Sequence, residues 1–153
     1  MSTLNARPMQ SDDIDSVYAI ELVGHKAPWG RFIFNDCLTV GYDCRVLELQ
    51  HPEQFEITSF IICRYYANIG HILNLCVAPV HQNKGHGRYI LQNVIDSLAG
   101  SDINTLLLEV RPSNLAALHL YQRMGFQQIG IKKDYYQDSD SPEDAVVLQK
   151  NIF

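Results

Sequence analysis

The chain has 153 residues, 46% of them hydrophobic. That is enough for one domain with a sizeable core, and no apolar run approaches the roughly 20 residues needed to cross a bilayer. Its formal net charge of -5 at pH 7 argues against direct contact with DNA or RNA, whose binding domains are commonly basic, and favours a cationic partner. Cys37, Cys44, Cys63 and Cys76 are irregularly spaced. With no C-x-x-C and no Cys/His ligand spacing, they read as reduced core thiols of a cytosolic protein without a metal. The opening residues include Ser11, Asp12, Asp13 and Asp15 and do not resemble a signal peptide.

In chain order, Asn5 to Pro8 suggest an edge strand. Ser11 is a candidate cap for a helix to about Leu22, with Ile14, Val17, Tyr18 and Glu21 at helical spacing. His25 to Gly30 breaks that helix, and Arg31 to Leu38 predicts a second. Strands follow at Arg45 to Leu49, Phe55 to Tyr66 and His71 to Val77, with turns near His51-Pro52 and Asn68-Ile69-Gly70. Gly87 to Ala99 predicts a helix with Ile90, Leu91, Val94, Ile95 and Leu98 on one face and Gly100 as its stop. Thr105 to Val110 is a nearly continuous apolar strand, as expected when both faces are covered. Ser113 or Asn114 caps a helix ending at Gly125, and Phe126 to Tyr136 and Ala145 to Asn151 close the chain as strands.

The order β-α-α-β-β-β-α-β-α-β-β predicts a mixed α/β fold in a single domain over residues 1–153. Its sheet is antiparallel in the first half, with a right-handed βαβ crossover and a parallel pair at the centre.

The most informative stretch is Val77 to Arg88. A strand stops at Pro79, and the loop then carries Gln82-x-x-Gly85-x-Gly87 into a helix. Glycines at a helix start expose backbone N–H groups at its positive end, which suits the pyrophosphate of a single cofactor. Glu109 near the end of Leu106-Leu107-Leu108-Glu109-Val110 is either a base whose pKa partial burial raises or a strand-end carboxylate turned to solvent. Tyr121 shares a helix face with Ala117 and Met124 and is either core or a proton donor to a leaving thiolate.

Asn114 is explained as an N-cap, with its amide also suited to a cofactor. His81 and His86 read as loop or surface residues, and Cys76 as a buried, inert thiol. Trp29, Tyr135 and Tyr136 either line a substrate pocket or cap the core. Asp134, Asp138, Asp140, Glu143 and Asp144 form either a solvated acidic loop or an electrostatic guide for a cationic peptide.

Together these residues resemble the GNAT superfamily of acetyl-CoA-dependent N-acetyltransferases. The resemblance covers nearly the whole chain through Gln82-x-x-Gly85-x-Gly87, its strand–loop–helix context, and Tyr121-x-x-x-Gly125-Phe126. It is nearest the RimI type, bacterial enzymes that acetylate the N-terminal alanine of a small-subunit ribosomal protein. The matching residues are Pro28-Trp29, Leu108 to Asn114, Ala116-Ala117, Leu120-Tyr121, Tyr135-Tyr136 and Glu143-Asp144-Ala145.

The resemblance implies a GNAT fold whose parallel strands splay to admit acetyl-CoA, here between His71–Val77 and Thr105–Val110. It implies Glu109 as proton acceptor and Tyr121 as proton donor. It also implies cofactor contacts from Leu75, Cys76 and Val77, from the loop residues Gln82, Asn83, Lys84, Gly85, His86, Gly87 and Arg88, and from Asn114. The chain departs at His81-Gln82-Asn83-Lys84-Gly85, where the family commonly has Tyr-Gln-Arg-x-Gly, a change that backbone recognition tolerates. Asp36 to Ile57 matches poorly, with an insertion-like Glu48 to Glu53.

The expected reaction is direct attack of a peptide α-amine on the thioester, with a basic ribosomal protein as acceptor in the cytoplasm. A lysine side chain, a polyamine or another small amine is the alternative acceptor, since the fold does not select one. A non-catalytic acyl-CoA-binding module is the reading from another class, against which stands the presence of both Glu109 and Tyr121.

Overall fold

The computed structural model describes residues 3–138 and 141–153. The elements are β1 (Thr3–Pro8), α1 (Ile14–Gly24), α2 (Arg31–Val40), β2 (Asp43–Gln50), β3 (Phe55–Tyr66), β4 (Ile69–Val77), α3 (His86–Ser97), β5 (Thr105–Val110), α4 (Leu115–Arg123), β6 (Gln127–Tyr136) and β7 (Glu143–Asn151). The strands form one mixed seven-stranded sheet in the order β1-β2-β3-β4-β5-β7-β6. The element order and the central parallel pair are those the sequence predicts.

The chain divides into two compact units, Met1–Arg64 with Asn74–Ser97 and Tyr65–Leu73 with Leu98–Phe153. In the first, β1 and β2 pair antiparallel from Thr3↔Gln50 to Pro8↔Arg45, and β2 pairs antiparallel with β3. Apolar side chains fill the space between this sheet and its helices because burying them removes their area from water. Val17, Phe34, Val46, Leu47, Phe60, Ile90, Leu91 and Val94 have no exposed surface. Phe34 meets Phe60 edge to face at 5.4 Å. Arg45 of β2 tethers α3 through the Asn93 side chain at 2.7 Å and Ser97 at 2.7 Å.

In the second unit, β5 pairs antiparallel with β7 along its whole length, and β7 with β6. The parallel ladder of β4 with β5 covers only Ile69–His71 against Thr105–Leu107. Leu106, Leu108, Val110, Tyr121, Met124, Phe126 and Ala145 to Leu148 form the core.

Several local expectations are corrected. Ser11 does not cap α1: it opens a short 3-10 turn, and Gln10 and Asp13 form the reciprocal capping box there. The β3–β4 turn falls at Ala67-Asn68, with Ala67 in the left-handed region at φ 53, and Ile69 already belongs to β4. Glu48 lies within β2 beside an irregularity in the β2–β3 register, so the insertion-like segment begins inside a strand. β5 is not equally covered on its two faces: Leu106, Leu108 and Val110 are buried while Thr105, Leu107 and Glu109 keep a minor part of their surface exposed. That alternation is the period-2 pattern of a strand with one face more deeply buried than the other.

Candidate active site

In the first unit, β4 ends at Val77 and a short 3-10 turn at Pro79–His81 leads to the glycine loop. Asn83 and Gly85 both lie in the left-handed region, at φ 60 and φ 85. A Cβ added at Gly85 would meet nothing within 4 Å, so its demand for glycine is conformational. This geometry turns the chain into α3, whose first-turn amides lack intrahelical acceptors and face outward at the positive helix end. Lys84 and Arg88 add positive charge, and the residues fit an anionic phosphate group. Gln82 is held by its side-chain amide donating to the Val77 carbonyl at 3.2 Å.

His81 and His86 are not simple surface residues. His86 is buried and its Nδ1 lies 2.7 Å from the Thr58 hydroxyl. Burial, reinforced by His81 and Lys84 nearby, lowers its pKa. His81 stacks on His86 at 5.2 Å and pairs with Glu56 at 2.7 Å. These contacts make a polar support beneath the loop, and the pattern of single residues along the chain carried no sign of it.

Leu75, Cys76 and Val77 lie at the end of β4, with Cys76 buried and its neighbours half-exposed. Burial pushes the Cys76 thiol up to about 12, so it stays protonated, as an inert thiol should. All four cysteines are buried thiols. Glu21, His25 and Cys76 bring one potential ligand atom each within 4.8 Å of one another. Their polar atoms are already engaged: the Asn74 amide donates to Glu21 at 3.0 Å and its oxygen meets His25 Nε2 at 2.9 Å. The other Glu21 oxygen accepts from the Trp29 backbone N–H at 2.9 Å. This network anchors the α1–α2 connection on which Trp29 sits, and the Trp29 ring packs on Phe34 at 5.4 Å.

In the second unit, Glu109 projects from the less buried face of β5, its side chain 6% exposed. Its Oε2 lies 2.7 Å from His71 Nε2 and its Oε1 3.2 Å from Lys132 Nζ. The expected upward pKa shift is overturned. The His71 hydrogen bond is the largest influence, and with Lys132 it outweighs the opposing effect of burial and holds the carboxyl below its usual range. Lys132 also lies over the Tyr135 ring at 5.3 Å, and Tyr135 meets Tyr136 edge to face at 4.9 Å. Arg111 stacks on Tyr136 at 4.1 Å. Burial, aided by Tyr135, pushes the Tyr136 phenol up to about 12.

The acidic segment is partly spent on local structure. Arg111 pairs with Asp138 at 2.7 Å and Glu143 at 3.2 Å. Glu143 also accepts from the Ser113 N–H at 2.9 Å, and Asp144 from the Asp134 N–H at 2.9 Å. Asp140 lies outside the described residues. Asn114 caps α4 as expected, accepting from the Ala117 N–H at 3.2 Å. Tyr121 is buried on α4, edge to face with Phe126 at 5.3 Å; the core reading of its ring is correct.

Residues 27–126 match the acetyltransferase (GNAT) family. The ribosomal protein bS18-alanine N-acetyltransferase of Escherichia coli (strain K12) is 32% identical over 148 residues, 97% of this chain and 96% of that protein. The enzyme of the same name from Haemophilus ducreyi is 36% identical over 137 residues, 89% of this chain and 92% of its own. The crystal structure of the Escherichia coli ribosomal-protein-S18-alanine N-acetyltransferase superposes with a TM-score of 0.83 at 31% identity, covering 99% of this chain and 94% of that one. The mixed sheet, the glycine loop opening α3 and these relationships agree: the chain belongs to the GNAT acetyltransferase family and is an acetyl-CoA-dependent N-acetyltransferase.

Proposed function

We propose that this enzyme acetylates the N-terminal α-amine of a ribosomal protein, with alanine as the first residue, working as one domain in the cytoplasm. The observation that carries this reading is similarity over nearly the full length of proteins named for that activity. Bound acetyl-CoA supplies the activated acetyl thioester. The backbone N–H groups of residues 82–88 hold its pyrophosphate, backbone groups of Leu75 to Val77 hold the pantetheine arm, and Asn114 adds a side-chain contact. A backbone N–H of the same strand segment stabilises the oxyanion.

Glu109 receives the proton lost by the attacking amine, and Tyr121 returns one to the departing thiolate. A peptide α-amine, with an ordinary pKa of about 7.7–8.0 against about 10.4 for lysine, sheds that proton readily near neutrality. Trp29, Tyr135 and Tyr136 contact the acceptor. Charge complementarity between the acidic chain, net -5, and a basic acceptor supports the choice of a ribosomal protein.

The test is CoA release with two basic peptides beginning with alanine. One has a free N-terminus and blocked lysines, the other a blocked N-terminus and free lysines. Turnover of only the first is expected. Turnover of only the second moves the acceptor to the lysine class, and turnover of small amines alone removes the peptide. Glu109→Gln and Tyr121→Phe should each lower kcat by about 10²-fold with the KM for acetyl-CoA little changed. Wild-type kcat in either variant removes that residue from its role.

A further inference from the structure

β3 carries one residue more than β2 opposite it. Leu47 pairs with Ser59 and Glu48 with Ile57, so Thr58 has no partner in that ladder. An extra residue of this kind re-aims a side chain and is a recurrent device beside active sites. Thr58 has no exposed surface, and it holds two points of the chain outside β3. Its carbonyl accepts the N–H of Ala78 at 2.8 Å. Its hydroxyl lies 2.7 Å from Nδ1 of His86. Ala78 follows the last residue of β4 and His86 is the first of α3, so these two anchors stand at the two ends of the glycine loop.

Glu56, two residues earlier on β3, holds the loop between those ends. Its Oε2 lies 2.7 Å from His81 Nε2 and its Oε1 2.9 Å from His51 Nε2. These bonds, the His81 one first, keep the carboxyl below its usual range, so it is ionised at neutral pH and accepts from both rings. The His81 ring in turn stacks on His86. Between the anchors, Asn83 lies in the left-handed region at φ 60. A side chain disfavours that conformation, and it persists only where the surroundings over-determine it. β3 supplies that constraint at Ala78, His81 and His86.

We propose that Thr58 and Glu56 are positioning residues for the cofactor: from β3 they hold the glycine loop, before acetyl-CoA arrives, in the shape that receives its pyrophosphate. This rests on the reading of residues 82–88 as the pyrophosphate holder and deepens it. Both residues act through Ala78, His81 and His86. A loop ordered in advance loses less conformational freedom on binding, which appears as affinity for the part of the ligand it touches. The effect is therefore confined to donors that carry the pyrophosphate and does not reach the chemical step.

The experiment compares two acetyl donors with one alanine-initiated peptide as acceptor. Acetyl-CoA carries the pyrophosphate; acetyl-pantetheine has the same thioester without it. Thr58→Val and Glu56→Ala are each expected to raise the KM for acetyl-CoA, and the Kd for CoA in calorimetry, by about 3- to 10-fold, the loss of one hydrogen bond. kcat at saturating acetyl-CoA and kcat/KM for acetyl-pantetheine should hold. Thr58→Ser, which restores the hydroxyl, should return the KM to near wild type. His86→Phe keeps a ring on His81 but removes the nitrogen that Thr58 holds. It should reproduce the Thr58→Val loss, and it decides the point if Thr58→Val does not fold. Glu56 is 42% exposed, so its truncation leaves the core intact.

Equal losses on both donors would make Thr58 and Glu56 ordinary parts of the fold and overturn the proposal. So would a wild-type KM for acetyl-CoA in Thr58→Val and Glu56→Ala while Gly85→Val, which forces a side chain onto a left-handed position of the loop itself, loses affinity; the loop would then keep its role without this support. If Gly85→Val treats the two donors alike, the loop reading itself falls and the proposal with it.

Discussion

Glu21, deep in α1, accepts a hydrogen bond at 2.9 Å from the backbone N–H of Trp29, which ties the end of the α1–α2 connection back to the helix it leaves. The carboxylate is 1% exposed, and its second oxygen is held by Asn74. Removing it strands both donors, and an unsatisfied buried donor costs about 1–3 kcal/mol. Glu21→Ala is expected to lose about 2–4 kcal/mol of stability in urea unfolding. It should also raise amide exchange across residues 25–30 beyond what Val17→Ala, a core truncation of similar cost, produces. Equal exchange in the two variants would show that Glu21 is merely core.

Gly24 closes α1 against Cys76. A Cβ there would run into Cys76 Sγ, well inside van der Waals contact. Gly24→Ala is therefore expected to destabilise by about 1–3 kcal/mol although alanine is the better helix former. In a Cys76→Ala background the clash is gone, and the same substitution should become neutral or stabilising. A thermal-melt double-mutant cycle measures the coupling, and additive effects would refute the close approach.

Asp13 carries an acid-sensitive part of the stability. Arg7 grips it with two bonds of 2.7 and 2.8 Å, and the Gln10 N–H adds a third at 2.8 Å. Burial alone would raise its pKa, but these bonds prevail and lower it. A carboxyl depressed in the folded state stabilises above its unfolded value, about 3.9, and that contribution disappears as pH falls through the folded value. Asp13→Asn is expected to cost about 1–3 kcal/mol at neutral pH and progressively less below about pH 4. A penalty independent of pH would mean that the ionised carboxylate contributes nothing.

Arg111 holds the β6–β7 connection by pairing with Asp138 and Glu143 and stacking on Tyr136. Arg111→Lys keeps the charge but loses the planar fork and the stack. It should lower stability by about 1 kcal/mol and blue-shift or broaden the Tyr136 environment in near-ultraviolet circular dichroism. An unchanged spectrum would show that Tyr136 is ordered without the arginine.

Much of this protein was legible in its sequence because the signals are local. The Gln82-x-x-Gly85-x-Gly87 loop, the span of β5, the Asn114 cap and the Gly125 stop each depend on a few neighbouring residues whose conformational preferences agree. The reading of Ser11 failed locally as well, because Gln10 and Asp13 offered a reciprocal pair that satisfied more backbone groups. What only the tertiary structure decided are contacts between residues far apart in the chain. Sheet register sets His71 on Glu109, 38 residues away, and reverses the expected pKa direction. Chain folding brings Asn74 to Glu21 across 53 residues and His86 to Thr58 across 28. Periodicity marks which face of an element is apolar, but it contains nothing about which distant polar group arrives at that face. The partner of a buried charge, and hence its chemistry, is therefore fixed by packing.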